Sequence, residues 1–170
     1  MPESFERSTL ASMGELSHSD TVRHLRKLSH LLDNAIPIPG TRYRLGLDPI
    51  LGLIPGGGDV AGAVLSAYII YRSAQMGMPA KSLGRMASNV LIEMLVGTIP
   101  VIGDFFDVGW KANVRNVQLL EEHVGSDRSA KAADKRLVFA IVAGIVLVAI
   151  GLAVVMLIIL RLIFQLIGLG

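Results

Sequence analysis

Between Leu137 and Leu160 the chain runs for 24 residues without a charged side chain. As an α-helix that run is about 36 Å long, more than the roughly 30 Å of hydrocarbon in a bilayer. Inside lipid every backbone N–H and C=O must be satisfied within the protein, which leaves a lone segment only the helix. The run predicts a transmembrane helix over 137–162 and an apolar C-terminal tail over 163–170, with Arg161 reaching the interface along its methylene stem. Composition agrees: 52% of residues are hydrophobic, 18% are charged and mean hydropathy is +0.56, whereas soluble domains carry about a quarter charged residues. The first residues, Met1 to Thr9, have no apolar core, so no signal peptide is expected and the anchor falls at the C-terminus.

A second constraint is internal. Asp48-Pro-Ile-Leu-Gly-Leu-Ile-Pro-Gly-Gly-Gly-Asp59 and Glu93-Met-Leu-Val-Gly-Thr-Ile-Pro-Val-Ile-Gly-Asp104 both open on an acid. They then share Gly52/Gly97, Ile54/Ile99, Pro55/Pro100, Gly58/Gly103 and Asp59/Asp104, every pair 45 residues apart. One register over so many positions marks a repeat. In each copy proline disfavours helix in the residue before it, glycine permits the turn, and aspartate stands ready to cap the next helix.

Taken in order, residues 1–19 read as a polar N-terminal tail. Over 20–35, Val22, Leu25, Leu28 and Leu32 recur at helical spacing, with Arg23, His24, Arg26, Lys27 and His30 on the other faces. This basic amphipathic helix either lies on an anionic bilayer or covers a core. His24 and His30 are six residues apart, which places them well apart around a helix rather than as a metal-binding pair. Pro37, Pro39 and Gly40 end it, and Asp48-Pro49 starts a short helix that must stop before Pro55. Helices are then expected over 60–76, capped by Asp59, over 80–98, and over 104–123, capped by Asp104. Residues 20–125 thus form one duplicated helical domain, and 126–136 a charged linker. The fold class is all-α: a duplicated helix-break-helix bundle with an N-terminal amphipathic helix and a C-terminal transmembrane helix.

The tight Gly77-Met78-Pro79 turn makes its two flanking helices antiparallel, so both breaks fall at one end of the hairpin. Asp59, Asp104 and Asp107 are then neighbours, with Asp48 and Glu93 within a few turns. Two readings stand. The acids cap helices and complement their dipoles, Asp104 and Asp107 resembling a capping box, and the motif holds a bundle together. Alternatively, carboxylates in apolar surroundings need partners, raised pKa values or a cation. Asp59, Asp104 and Asp107 would then be the ligands of a divalent metal, or the cluster would line a cation or proton conduit at two re-entrant breaks.

Basic residues flank every apolar stretch: Arg42/Arg44, Arg72/Lys81/Arg85, Lys111/Arg115 and Lys131/Lys135/Arg136. If 45–71 and 90–110 each crossed the bilayer, these clusters would alternate sides, against the positive-inside bias. A dip into the bilayer, or a seat on its surface, keeps them all cytoplasmic. The expected location is a membrane, the cytoplasmic membrane in a prokaryote, with the N-terminal domain in the cytoplasm and the lipid bilayer as its partner. Gly144 and Gly151 form a small-residue face suited to pairing two copies.

Other classes fare worse. Gly56-Gly57-Gly58 before a helix is suited to a phosphate, but Asp59 repels the anion and no P-loop lysine follows. No nucleophile, base and acid fall at usable spacing, so no enzyme and no cofactor is expected. The absence of cysteine excludes disulfides and thiolate chemistry. A net charge of +2 gives no footprint for nucleic acid, and the basic residues suit lipid headgroups better.

Leu47-Asp48-Pro49, Gly52-Leu-Ile-Pro55, Gly58-Asp59, Gly97-Thr-Ile-Pro-Val-Ile-Gly-Asp104 and Asp107-x2-Trp110-Lys111-Ala-Asn113, continued by Arg115-Asn116, resemble the membrane-protein family called domain of unknown function 4112. The resemblance covers about residues 20–123 and brings no activity with it. It adds Trp110, Lys111, Asn113, Arg115 and Asn116 to the candidate residues and leaves out the C-terminal anchor.

Overall fold

A computed structural model describes residues 3–34, 36–37, 44–45, 57–99, 106, 109–125 and 131–168, with side chains described from 18 in the first helix and from 60 in the second. The elements are α1 (Glu3–Asn34), β1 (Ile36–Pro37), β2 (Arg44–Leu45), α2 (Gly57–Gln75), α3 (Ala80–Gly97), α4 (Ala112–Val124) and α5 (Lys135–Leu166). The fold is all-helical apart from the two-residue antiparallel pair β1–β2, in which Ile36 faces Leu45.

α1 begins at Glu3, well before the stretch that periodicity marks as helix. No proline interrupts 3–34, and Glu3 and Glu6 sit in the first turn, where acids complement the helix dipole. Leu25, Ser29, Leu32 and Asp33 are buried and form one stripe against α4. Arg23, His24, Lys27 and His30 are exposed. The apolar face of this amphipathic helix therefore covers the core of its own chain. Arg26 places its guanidinium 2.6 Å from Glu121 while Asp33 meets the start of α4, so the two helices are antiparallel.

α2 and α3 form the expected hairpin. Gly77 turns it at φ +87°, a left-handed conformation that glycine adopts without strain, and Met78 plugs the turn at 0% exposure. The N-terminus of α2 and the C-terminus of α3 consequently share an end. α2 begins at Gly57, which puts Asp59 in its first turn and not at the capping position expected for it. A second difference lies further on. The helix expected over 104–123 is interrupted at Trp110 and Lys111, and α4 starts only at Ala112. Its first-turn N–H groups are capped from other helices: Ala112 N donates to Glu93 on α3 and Val114 N to Asp33 on α1. Caps supplied from a distance leave no local mark for a sequence reading to find.

α5 starts with Asp134 accepting from Arg136 N, and Ala133 N donates to Met78 O, which ties this start to the α2–α3 turn. It therefore runs back along α2, burying Val138, Ile145, Ala149 and Ala153 against α2 and α3. Beyond Ala153 none of its described residues is buried. The small residues buried in this packing are Ala149 and Ala153; Gly151 is exposed, and a Cβ added at Gly144 would meet no atom within 4 Å among the described residues.

Along the bundle's axis, Arg72, Lys81, Arg85, Lys131, Lys135 and Arg136 gather at the end holding the turn, where Val124, Leu137 and Phe139 are also exposed, while Lys111 meets Asp33 at the other end. The exposed apolar residues Val64, Ile92, Leu95, Ile99, Leu147 and Ile150 lie toward that other end. Leu120, fully buried on α4, joins the core to which α1, α2 and α3 contribute. Leu120→Ala is expected to destabilise the chain by about 3 kcal/mol, the loss of a buried leucine plus its cavity, as read by thermal unfolding in detergent.

Candidate functional site

The start of α4 is the most polar part of the described interior. Asp33, 3% exposed, accepts from Asn113 Nδ2 at 2.9 Å and from Val114 N at 2.8 Å, and Lys111 Nζ donates to its backbone carbonyl at 2.5 Å. Burial raises the Asp33 carboxyl above its ordinary value. The hydrogen bonds from Val114 and Asn113 and the charge of Lys111 pull the other way without cancelling it. Asn113 Oδ1 is buried with no hydrogen-bond partner among the described residues.

A second group joins α4 to α3. Asn116, fully buried, donates from Nδ2 to Met86 O at 3.1 Å and accepts from Asn89 Nδ2 at 2.9 Å. Trp110 Nε1 donates to Asn89 O at 3.1 Å. The indole stacks on Phe106 with centroids 5.2 Å apart, and the Arg115 guanidinium carbon lies 3.9 Å from the ring centroid, a cation–π contact.

Five residues singled out in the sequence thus meet here with separate tasks. Trp110 and Asn116 hold α3, Lys111 and Asn113 hold the end of α1, and Arg115 covers the indole. Their partners Asp33 and Asn89 were not anticipated. Asp33 did leave a signal, standing one residue after Leu32 on the stripe that also holds Leu25, so an acid occupied an apolar face.

Of the five candidate acids, Glu93 is described, and its carboxylate accepts from Ala112 N at 3.2 Å, a capping role. Asp48, Asp104 and Asp107 lie outside the described residues, and of Asp59 only the backbone is described. Of the motif glycines and prolines, Gly97 ends α3 and Gly58 lies in the first turn of α2, while Gly52, Pro55, Pro100 and Gly103 lie outside. No group of three metal-ligating side chains occurs among the described residues. The arrangement described is a clamp joining α1, α3 and α4.

A family profile described as domain of unknown function (DUF4112) matches residues 21–124, more than half of the chain. Neither a curated protein nor a solved structure matches it. The matched span contains the clamp and ends before α5, which is long and apolar enough to cross a membrane, with a mean hydropathy of 3.2 in its most apolar window.

Proposed function

The chain belongs to the DUF4112 family, and from that premise we propose that it is a membrane-anchored structural or interaction module, its bundle sunk part-way into one leaflet. The observation that carries this reading is where α5 leaves the bundle. Past Ala153, thirteen residues of the helix remain, about 20 Å, which is too short for a hydrocarbon core of roughly 30 Å. A crossing must include about 10 Å more, from near Leu147, and there α5 is flanked by the apolar ends of α2 and α3. Val64, Ile92, Leu95, Ile99, Leu147 and Ile150 are exposed at that depth, where an aqueous surface would carry polar side chains.

One turn and more above them on α2 come Tyr68 and Tyr71, both exposed, which suits the aromatic preference for the interface. The basic end then stands in the water and headgroup layer, on the cytoplasmic side by the positive-inside bias. Pairing of two copies through Gly144 and Gly151 is compatible with this placement, because a Cβ added at either would meet open space among the described residues.

The test is alkaline washing of membranes that contain the full chain. The chain is expected to stay in the pellet; complete release into the supernatant would contradict the anchoring.

A further inference from the structure

A groove of about 750 Å³ runs between α3 and α4 on the bundle's outer side. Lys81, Arg85 and Arg115 line it, with Ser88, Asn89 and a single carboxylate, Glu122. Among the described residues, none of the three cations has a carboxylate within ion-pair distance; the two ion pairs there are Arg23–Asp20 and Arg26–Glu121. The Arg115 guanidinium is held over the Trp110 ring at the groove's wall, and a guanidinium placed on an aromatic face keeps its N–H donors for a ligand. Three cations against one acid in a concave site favour an anion, and a planar guanidinium matches phosphate oxygens in pairs.

Depth decides the source of that phosphate. Along α3, Ser88 stands four residues and Arg85 seven residues before Ile92, about 6 and 10 Å toward the basic end. The headgroup layer on each side of the hydrocarbon is roughly 5–8 Å thick. With Ile92 at the hydrocarbon boundary, the deep end of the groove opens at the level of lipid phosphates. We infer that the groove holds the phosphate of an anionic phospholipid, gripped by Arg85 and Arg115 with Lys81 at its outer rim. This rests on the bilayer placement proposed above.

The single tryptophan, beneath Arg115, is a built-in reporter. The full chain would be reconstituted into phosphatidylcholine vesicles containing nitroxide-labelled phosphatidylglycerol or, at the same mole fraction, nitroxide-labelled phosphatidylcholine. Flotation of the same vesicles checks insertion. Phosphatidylglycerol is expected to quench Trp110 about threefold more strongly. The excess should vanish in Lys81→Gln/Arg85→Gln, which leaves the indole's own contacts untouched. It should persist in Lys131→Gln/Lys135→Gln, which removes the same charge from the same end outside the groove. Millimolar inorganic phosphate should not abolish it.

Equal quenching by the two lipids in a chain that floats would overturn the headgroup site while leaving the anchor standing. Equal loss in both double variants would overturn it too, as a charge effect without a site. Loss of the excess on adding phosphate would overturn the lipid source in favour of a soluble anion. A chain that fails to float would overturn the anchoring itself.

Discussion

A Val155→Arg/Ile158→Arg double variant is expected to leave the membrane fraction on alkaline washing while its bundle stays folded. Both side chains are about half exposed on the part of α5 that lies beyond its last buried residue, Ala153. Neither substitution therefore removes a side chain from the buried core of the described residues. They fall near the middle of the proposed crossing, where each arginine costs about 2.5–3.5 kcal/mol of insertion. Two cost about 5–7 kcal/mol, enough to reverse a membrane partition that the native helix strongly favours. The unfolding midpoint of the released protein, kept in mild detergent, should match that of the native chain. A variant still wholly in the pellet would mean that α5 is not what holds the chain there.

Asp33→Ala carries the largest expected loss of stability, about 4 kcal/mol, because it strips a buried clamp of its central acceptor. Asn113 Nδ2 and Val114 N would each lose their partner, and the Asn113 oxygen already has none among the described residues. Asp33→Asn should cost less, since its amide oxygen can still accept from Val114 N. The pH dependence separates these variants further. The Asp33 carboxyl is raised in the folded chain above its ordinary value of 3.8. A raised carboxyl contributes stability that is fully present below that ordinary value and lost as pH climbs through the raised one. The native chain should therefore lose stability relative to Asp33→Asn as pH rises across that window, and the difference should level off above it. Parallel stability curves for the two from pH 3 upward would show that burial does not perturb this carboxyl.

Much of the architecture was legible because it follows from periodicity and punctuation. The uncharged run became α5, and the Gly77-Met78-Pro79 turn became the hairpin that brings the flanks of both breaks to one end. The start of α4 was misplaced because its caps, Glu93 and Asp33, come from 19 and 81 residues away. No rule of local spacing reaches that far. The same limit hid one task of Glu93. The repeat marks it as an acid of a candidate cluster, and among the described residues its carboxylate also accepts from the backbone N–H of Ala112 on the next helix. The amphipathic helix left two uses open, because a stripe of leucines looks the same against lipid as against α4. Its acid at position 33, seated on the apolar stripe, was the mark that favoured protein.

The partial sinking of the bundle is the claim that sets the depth of the headgroup site. Because the chain has no cysteine, single substitutions can report depth one residue at a time. Lys131→Cys, Val64→Cys, Ile92→Cys and Leu157→Cys, each in sealed vesicles with the basic end outward, would be exposed to a water-soluble maleimide. Rapid labelling at position 131 is predicted, with 64, 92 and 157 protected until detergent is added. Labelling of 64 and 92 as fast as 131, with 157 alone protected, would place the bundle outside the bilayer and contradict the account.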